Sequence, residues 1–316
     1  MRYIIKLSEY FELKNSQIRI PQLGGTHLHI VLIVTSIMLS GCFSRFVMTE
    51  KELKEYYKDK KDKPTYFTIK NDSVELFCAT SGPDTLPPLL IIHGAPGAWY
   101  GSRNFLEDTM LQKQFHIIAV DRPGYNKSKY KNKRTAVTSI DIQAVAIYEA
   151  MRLNRSFKTG IIMGSSYGGP IAAKVVVNNP DRFHHLILLA AAMDPEKEKF
   201  WWFNRYVSSG MIRWFLPRFI NNATDEKYTH VKELNKMLPD WEKLNLQITA
   251  IQGGADNIVD PANLDFARKQ LQGRNAEFIF IPEAGHMIRR SNEQMVKSIL
   301  GRSLNEVREL SAEGSQ

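Results

Sequence analysis

The chain has 316 residues, enough for one large domain or two smaller ones, and its 43% hydrophobic and 24% charged residues are ordinary for a globular protein. The formal net charge of +9 is moderately basic, but no zinc-finger spacing, RNP-like string or long Lys/Arg run supports nucleic-acid binding. A solvated basic face is the simpler interpretation, and a basic face near an anionic membrane comes second. The two cysteines, Cys42 and Cys78, lie in very different settings and do not indicate a disulfide framework.

The first element along the chain is an uncharged apolar run over residues 30–39, which follows several Lys and Arg residues and precedes small residues. These features are typical of a secretory signal. The string Leu-Ser-Gly-Cys at 39–42 resembles the lipobox of bacterial lipoproteins, in which the signal is cut before the cysteine and the cysteine carries acyl chains such as palmitate. The resemblance implies that residues 1–41 are a lipoprotein signal peptide and that Cys42 is lipidated and anchors the chain in a membrane.

The alternative is an uncleaved anchor helix over residues 28–48. It is less favoured because the apolar core is shorter than the about 20 residues that span a bilayer, and because Arg45 would lie inside the span. Phe43 after the cysteine resembles an outer-membrane sorting signal of enteric-type bacteria. We therefore expect a lipid-anchored protein of the bacterial cell envelope, on the periplasmic face of the outer membrane. Residues 42–63 are dense in charged residues and Tyr, which predicts a polar tether that is at most briefly helical.

From residue 64 onward, apolar runs of strand length alternate with segments of helical spacing. The predicted strands cover 66–69, 74–79, 89–92, 115–120, the run before Gly164, 185–190, 247–252 and 277–282. The predicted helices cover 99–113, 138–153, a segment that begins near Pro170, 262–271 and 292–310. Such alternation indicates a parallel sheet with helices on both faces, in which functional residues collect at the carboxyl ends of the strands.

Residues 193–245 interrupt the alternation and divide the core into 64–192 and 246–316. The interruption is rich in aromatic residues mixed with Arg and Lys. We interpret it as a small helical cap, one face of which packs on itself while another covers an apolar pocket.

The segment Gly-Ser-Ser-Tyr-Gly at 164–168 joins an apolar strand to a helix. Gly164 and Gly168 have no Cβ, so a strand and a helix can approach closely around a strained residue between them. This Gly-x-Ser-x-Gly pattern is typical of a nucleophile elbow, which would hold the Ser166 hydroxyl at the carboxyl edge of the sheet.

Five motifs in order resemble those of the α/β-hydrolase superfamily over about residues 65–305. They are His-Gly-Ala-Pro-Gly at 93–97, Asp-Arg-Pro-Gly-Tyr at 121–125, Gly-Ser-Ser-Tyr-Gly at 164–168, Gly-Gly-Ala-Asp at 253–256 and Ala-Gly-His at 284–286. The resemblance implies the α/β-hydrolase fold: a mostly parallel eight-stranded sheet, helices on both faces and a small helical cap.

The resemblance also implies a role for each matching residue. Ser166 would be the nucleophile and His286 the base that activates it. Asp256 would orient His286, although Asp260 and Asp194 are alternative positions for the acid. The oxyanion donors would be the backbone N–H groups of Ala95 and Tyr167. Three further residues are expected to brace loops beside the pocket: His93, Asp121 and Arg122.

The first two motifs also resemble those of epoxide hydrolases and haloalkane dehalogenases, which use Asp as the nucleophile. Ser166 at that position favours acyl transfer, so we expect a carboxylesterase or lipase-like enzyme with a small-molecule acyl ester as substrate.

One alternative is an aminopeptidase of the prolyl-aminopeptidase type, which an acidic cluster in the cap would favour, with Asp225 and Glu226 as candidates. Another is a catalytically silent envelope lipoprotein with this fold. We expect no cofactor and no metal, since no dinucleotide fingerprint, P-loop or metal-ligand spacing is present.

Overall fold

The computed structural model describes residues 47–156, 158–200, 208 and 210–313, so the predicted signal peptide and Cys42 lie outside the described residues. The strands are β1 Thr65–Lys70, β2 Val74–Ser81, β3 Pro88–Ile92, β4 His116–Val120, β5 Lys129–Tyr130, β6 Gly160–Ser165, β7 Phe183–Leu189, β8 Gln247–Gly253 and β9 Ala276–Ile281. The α-helices are α1 Glu50–Tyr56, α2 Arg103–Leu106, α3 Thr109–Gln112, α4 Ile140–Tyr148, α5 Gly168–Asn178, α6 Gly210–Phe215, α7 Arg218–Met237, α8 Asn263–Gln270, α9 Ile288–Ser291 and α10 Glu293–Glu313.

The described strands form one sheet in the order β1-β2-β4-β3-β6-β7-β8-β9, with β5 paired to β2. The neighbours from β4 to β9 are parallel, whereas β1, β2 and β5 pair antiparallel at one edge. The predicted fold class is confirmed. The sheet has nine described strands rather than the predicted eight, because the two-residue β5 lies in a Lys-rich loop that gives no strand pattern.

The central strands are mostly apolar because helices cover both faces of the sheet. Every residue of β3 and β4 is buried, and so are the first five residues of β6. Leu90, Ile118 and Ile162 pack in one core cluster with residues of α4 and α5. Burying each such side chain contributes about 1.5–3 kcal/mol to folding, so this core fixes the ends of the strands in place.

The predicted helix over 99–113 is divided into a 3₁₀ turn at Trp99–Ser102 followed by α2 and α3. Asp108 accounts for the division. Its carboxylate accepts the backbone N–H groups of Met110 and Leu111 at 2.8 and 2.9 Å, which makes it the N-cap of a new helix.

The described part of the predicted tether packs on the domain. Thr49 and Glu52 form a capping box that starts α1. The following Tyr57 is buried, and its ring stacks against Trp99 at a centroid distance of 6.4 Å. The domain therefore begins before residue 64. Within the described ranges, no helix combines the length and the apolarity needed to cross a bilayer.

The cap region is mostly helical in its described part and is held to the core by polar contacts from α7. The Asn222 amide donates to the carbonyls of Gly124 and Arg134 at 2.8 and 3.1 Å. The Glu233 carboxylate accepts the N–H of Ile140, the first residue of α4, at 3.1 Å. These bonds hold α7 against the loop that follows β4 and against the start of α4.

We predict that Gly164→Ala destabilises the domain, because a Cβ at residue 164 would lie 2.3 Å from the Gly168 carbonyl oxygen and 2.8 Å from the Ala172 Cβ. Overpacking of this kind lowers the free energy of unfolding by about 1–3 kcal/mol or more. Urea denaturation measures the difference.

The matched control is Gly301→Ala within α10, where an added Cβ meets no atom within 4 Å. This substitution should stabilise the helix by about 0.4–1 kcal/mol. Equal unfolding free energies for Gly164→Ala and the wild type would contradict the close approach of strand and helix at the elbow.

Candidate active site

Ser166 lies in the turn between β6 and α5 with a backbone φ of 53°. A left-handed conformation costs a non-glycine residue about 1–3 kcal/mol, so the surrounding structure must impose it. The Ser166 N–H donates to the Leu189 carbonyl at 2.9 Å, and the Ser166 carbonyl accepts the Gly169 N–H at 2.9 Å. The strained turn has the backbone that the elbow motif predicts, and it holds Ser166 at the carboxyl end of β6.

The His-Gly-Ala-Pro-Gly loop lies directly against this turn. A Cβ on Gly94 would be 2.9 Å from the Ser166 Cβ and 3.4 Å from its Oγ. A Cβ on Gly168 would be 2.6 Å from the His93 carbonyl oxygen. Glycine is therefore required on both sides of the contact, and the loop after β3 borders the Ser166 hydroxyl.

His286 and Asp256 are brought together by two neighbouring parallel strands. Asp256 follows β8 and His286 follows β9. The two loops are joined by a hydrogen bond from the Ala255 N–H to the Ala284 carbonyl at 3.0 Å. The His286 Nδ1 lies 2.8 Å from the Asp256 Oδ2. An acid and a base are thus paired at the same edge of the sheet that carries Ser166.

The surroundings of Asp256 keep its carboxylate ionised. Its Oδ1 accepts the backbone N–H groups of Ile258 and Val259 at 2.9 and 3.0 Å. Burial raises the pKa of this carboxyl, but the hydrogen bonds from His286 and the two N–H groups outweigh burial, so the pKa lies below its ordinary value. Because the carboxylate only accepts, the proton of a neutral His286 ring sits on Nδ1 and its Nε2 is the free acceptor.

The two alternative acids serve other contacts. Asp260 accepts the Ala262 N–H at 3.0 Å and pairs with Lys199 at 3.2 Å. Asp194 accepts the Glu196 N–H at 2.9 Å and caps a 3₁₀ turn. Neither carboxylate contacts His286 in the part of the chain that the structure describes.

The backbone N–H groups of Ala95 and Tyr167 have no acceptor among the described residues. Tyr167 is the N-cap of α5, and Ala95 follows the Gly94 that borders Ser166. The positive end of the α5 dipole adds to the field at this point. Two unpaired donors beside a serine hydroxyl are the arrangement that stabilises a developing oxyanion.

Within the described residues, no hydrogen bond joins the Ser166 Oγ to His286. In free enzymes such bonds are often long and tighten only when substrate binds. The structure therefore places the candidate nucleophile and the acid–base pair at the ends of β6, β8 and β9, which belong to the consecutive sheet neighbours β6-β7-β8-β9.

His93 and Asp121 brace the loops beside the site, as the sequence predicts. The buried His93 ring accepts the Arg122 N–H at Nε2 (3.0 Å), so its Nδ1 carries the proton and donates to the Gly94 carbonyl at 2.7 Å. Burial, together with the adjacent Arg122 charge, lowers the pKa of His93 well below its ordinary value, so the ring is neutral. The Asp121 carboxylate accepts the Trp99 N–H at 2.9 Å.

Glu226 of α7 is a site neighbour that the sequence analysis misplaced. Its candidacy for an acidic cluster that binds an amino group is wrong, because Glu226 is fully buried and pairs with Arg122 at 2.6 and 3.0 Å. The Tyr125 hydroxyl donates to it at 2.6 Å. The other candidate, Asp225, pairs with Arg213, with 2.8 Å between Nη2 and Oδ2.

A cavity of about 450 Å³ lies beside α1 and is lined by Tyr57, Tyr66, Phe77 and Trp99 among others. None of the candidate catalytic residues lines it, so we do not assign it to the substrate. The apolar pocket expected under the cap stays a prediction, because residues 201–207 and 209 lie outside the described part of the cap.

Comparison with protein families matches residues 87–243 to the family described as alpha/beta hydrolase fold. The chain is 33% identical over 110 residues to the 1-acylglycerol-3-phosphate O-acyltransferase of Arabidopsis thaliana, a match that covers 34% of this chain and 25% of that protein. It is 23% identical over 193 residues to epoxide hydrolase 3 of Xenopus tropicalis, a match that covers 61% of this chain and 49% of that protein. The matches thus span less than half the length of these curated relatives.

Solved structures agree over most of the chain. A candidate lipase from Acinetobacter baumannii AYE superposes with a TM-score of 0.63 and 16% identity, covering 85% of this chain and 98% of that one. A membrane phospholipase A described as a bacterial virulence factor superposes with a TM-score of 0.61 and 17% identity, covering 89% of this chain and 99% of that one. Such identities show the fold alone. Together with the family match over residues 87–243, they show that the chain has the α/β-hydrolase fold.

Proposed function

We propose that this protein is a serine hydrolase that cleaves a carboxylic ester, as a carboxylesterase or lipase-like enzyme, through an acyl-enzyme on Ser166. The observation that carries the proposal is the 2.8 Å contact between His286 Nδ1 and Asp256 Oδ2, at the sheet edge where Ser166 is held in a strained turn. Acid, base and nucleophile are the three roles that acyl transfer requires.

In the first half-reaction, His286 Nε2 takes the proton of the Ser166 hydroxyl as its Oγ attacks the ester carbonyl carbon. The carbonyl oxygen becomes an oxyanion and accepts the N–H groups of Ala95 and Tyr167. Asp256 stabilises the imidazolium that forms. The tetrahedral intermediate then breaks its bond to the alkoxy group, which leaves as the alcohol after protonation by His286.

In the second half-reaction, water attacks the acyl-enzyme while His286 again removes a proton. The oxyanion forms in the same position, and its collapse releases the carboxylic acid and restores the Ser166 hydroxyl. One oxyanion donor is worth about 3–4 kcal/mol in the transition state, so the two N–H groups carry a large part of the rate enhancement.

Serine chemistry separates this proposal from the epoxide hydrolases among the relatives. Opening an epoxide on this fold requires a carboxylate that forms an alkyl ester with the substrate, whereas Ser166 attacks carbonyl carbon. The structural neighbours described as a candidate lipase and a phospholipase A are consistent with an ester substrate. Attack on the proposed acyl-enzyme by an alcohol instead of water would transfer the acyl group, which is the kind of reaction that the acyltransferase name among the relatives describes.

The aminopeptidase alternative has less support. A free acidic group in the cap would be needed to bind an α-amino group, and both candidates, Asp225 and Glu226, are engaged with arginines. The catalytically silent alternative is disfavoured by the ionised acid and the paired base, which a scaffold would have no reason to retain.

Ser166→Ala should abolish hydrolysis of short p-nitrophenyl esters and labelling by a fluorophosphonate probe, because both reactions need the Oγ nucleophile. Ser165→Ala is the matched control, since Ser165 adjoins Ser166 and its own hydroxyl is buried and has no hydrogen-bond partner among the described residues. Mass spectrometry of the labelled peptide identifies the modified serine. The proposal fails if the wild type is inert to both reagents, or if the label resides on Ser165.

Asp256→Asn should lower kcat on the order of 10³–10⁴-fold with a smaller change in KM, because the amide cannot hold His286 in the productive tautomer. Asp260→Asn and Asp194→Asn should retain kcat near the wild-type value. Steady-state kinetics on one ester compares the three. A large loss for Asp260→Asn with none for Asp256→Asn would reassign the acid.

We also propose that Cys42 is lipidated and holds the enzyme at the bacterial envelope, on the periplasmic face of the outer membrane. Cells supplied with radiolabelled palmitate should incorporate label into the wild type and into Cys78→Ser, but not into Cys42→Ser. Cys78 is a suitable control because it is fully buried in β2, where burial raises the pKa of its thiol. Equal incorporation into Cys42→Ser would eliminate the anchor.

A further inference from the structure

We propose that Arg122 is a positioning residue that couples the cap helix α7 to the oxyanion donor Ala95. When α7 is packed on the core, Arg122 holds the Ala95 N–H in its catalytic orientation. The inference rests on the proposed function, in which the Ala95 N–H stabilises the oxyanion. It is carried by hydrogen bonds that converge on the Gly94 carbonyl from two sides.

The Gly94 carbonyl is held by two donors. The His93 Nδ1–H donates to it at 2.7 Å, and the Arg122 Nη2 donates at 3.1 Å. Both donors are buried side chains with few alternative positions. The orientation of this carbonyl is therefore set by His93 and Arg122 together.

The orientation of the Gly94 carbonyl determines that of the Ala95 N–H. Both belong to one planar peptide unit, in which the C=O and N–H of a trans bond point in opposite directions. Gly94 itself lies against Ser166, because a Cβ added to Gly94 would be only 2.9 Å from the Ser166 Cβ. A rotation of this peptide would move the donor away from the oxyanion that forms on the Ser166 side.

Arg122 is in turn held by the cap. Its Nη1 donates to Glu226 Oε1 at 2.6 Å and to Gln143 Oε1 at 2.7 Å, and its Nη2 donates to Glu226 Oε2 at 3.0 Å. The guanidinium carbon also lies 4.5 Å from the centre of the Tyr125 ring and 4.9 Å from the centre of the Tyr167 ring. Together with the hydrogen bond to the Gly94 carbonyl, these contacts give each of the four Nη hydrogens of the guanidinium an acceptor.

Glu226 is the carboxylate that balances the buried Arg122 charge, and it lies on α7 of the cap. Its remaining acceptor sites are filled by the Tyr125 hydroxyl at 2.6 Å and the Gln143 amide at 3.1 Å. Displacing α7 would leave a buried cation without its partner, which is strongly unfavourable. Arg122 would then reorient, and the Gly94 carbonyl would lose one of its two donors.

Arg122→Lys is the informative variant, because it preserves a positive charge opposite Glu226 but cannot span Glu226 and Gly94 with one ammonium. We expect the full-length variant to remain folded by circular dichroism. We expect its kcat on a p-nitrophenyl ester to fall about 10- to 100-fold with little change in KM, because a displaced donor affects the transition state more than substrate binding. The rate of Ser166 phosphonylation should fall in parallel.

A thiono ester gives a readout that a structural role alone would not produce. Its sulfur accepts hydrogen bonds poorly, so its hydrolysis depends less on the oxyanion donors. The ratio of ester to thiono ester rates should therefore fall in Arg122→Lys. Asp225→Asn is the matched control, because Asp225 adjoins Glu226 on α7 but pairs with Arg213 within the cap region.

Glu226→Gln provides a second test should Arg122→Lys be unstable, and it should give the same fall in kcat and in the rate ratio. A folded Arg122→Lys enzyme with wild-type kcat and rate ratio would overturn the inference while leaving the proposed function intact. An equal loss in Asp225→Asn would also overturn it. A wild type that does not react with the phosphonate would overturn the proposed function, and this inference with it.

Discussion

The candidate active site is built around the strained backbone of one residue. Ser166 adopts a left-handed backbone between β6 and α5, and this conformation persists only because its surroundings leave no alternative. Gly164 and Gly168 allow the strand and the helix to approach within contact distances that a Cβ would forbid. The N–H of Ser166 is tied to the end of β7 and its carbonyl to the first turn of α5. The strain thereby places one hydroxyl at the edge where the loops after β3, β8 and β9 converge.

The core of this arrangement could be predicted from sequence because the chemistry follows strand ends. A parallel sheet collects the residues after its strands at one edge, and the resemblance of the motifs at these strand ends to those of α/β-hydrolases implied that Asp256 and His286 act together. The hydrogen bond between them favours Asp256 over Asp260. The strand β5 was missed because two residues in a Lys-rich loop carry no period, and their pairing depends on β2 rather than on local sequence.

The contribution of the cap was not predicted, because Glu226 meets Arg122 across 104 positions of sequence. Pairings of this kind depend on how α7 packs, which composition does not specify. A signal was nevertheless present. Leu234 and Met237 mark the buried face of α7, and steps of four residues back from Leu234 give His230, Glu226 and Asn222, all of which are buried. A polar residue on the inward face of a helix requires a partner, and Arg122 in the core motif is that partner.

The proposed mechanism requires a single acyl group to contact the strained Ser166, the paired base His286 and the backbone N–H groups of Ala95 and Tyr167 at once. A crystal structure of the covalent adduct formed with a phosphonate ester would show whether these contacts form together. We predict a phosphorus–Oγ bond at Ser166, with the phosphoryl oxygen about 2.7–3.1 Å from the nitrogens of both Ala95 and Tyr167. His286 Nε2 should lie within hydrogen-bond distance of the Ser166 Oγ. An adduct on another residue, or a phosphoryl oxygen that faces solvent away from both nitrogens, would contradict the proposed mechanism.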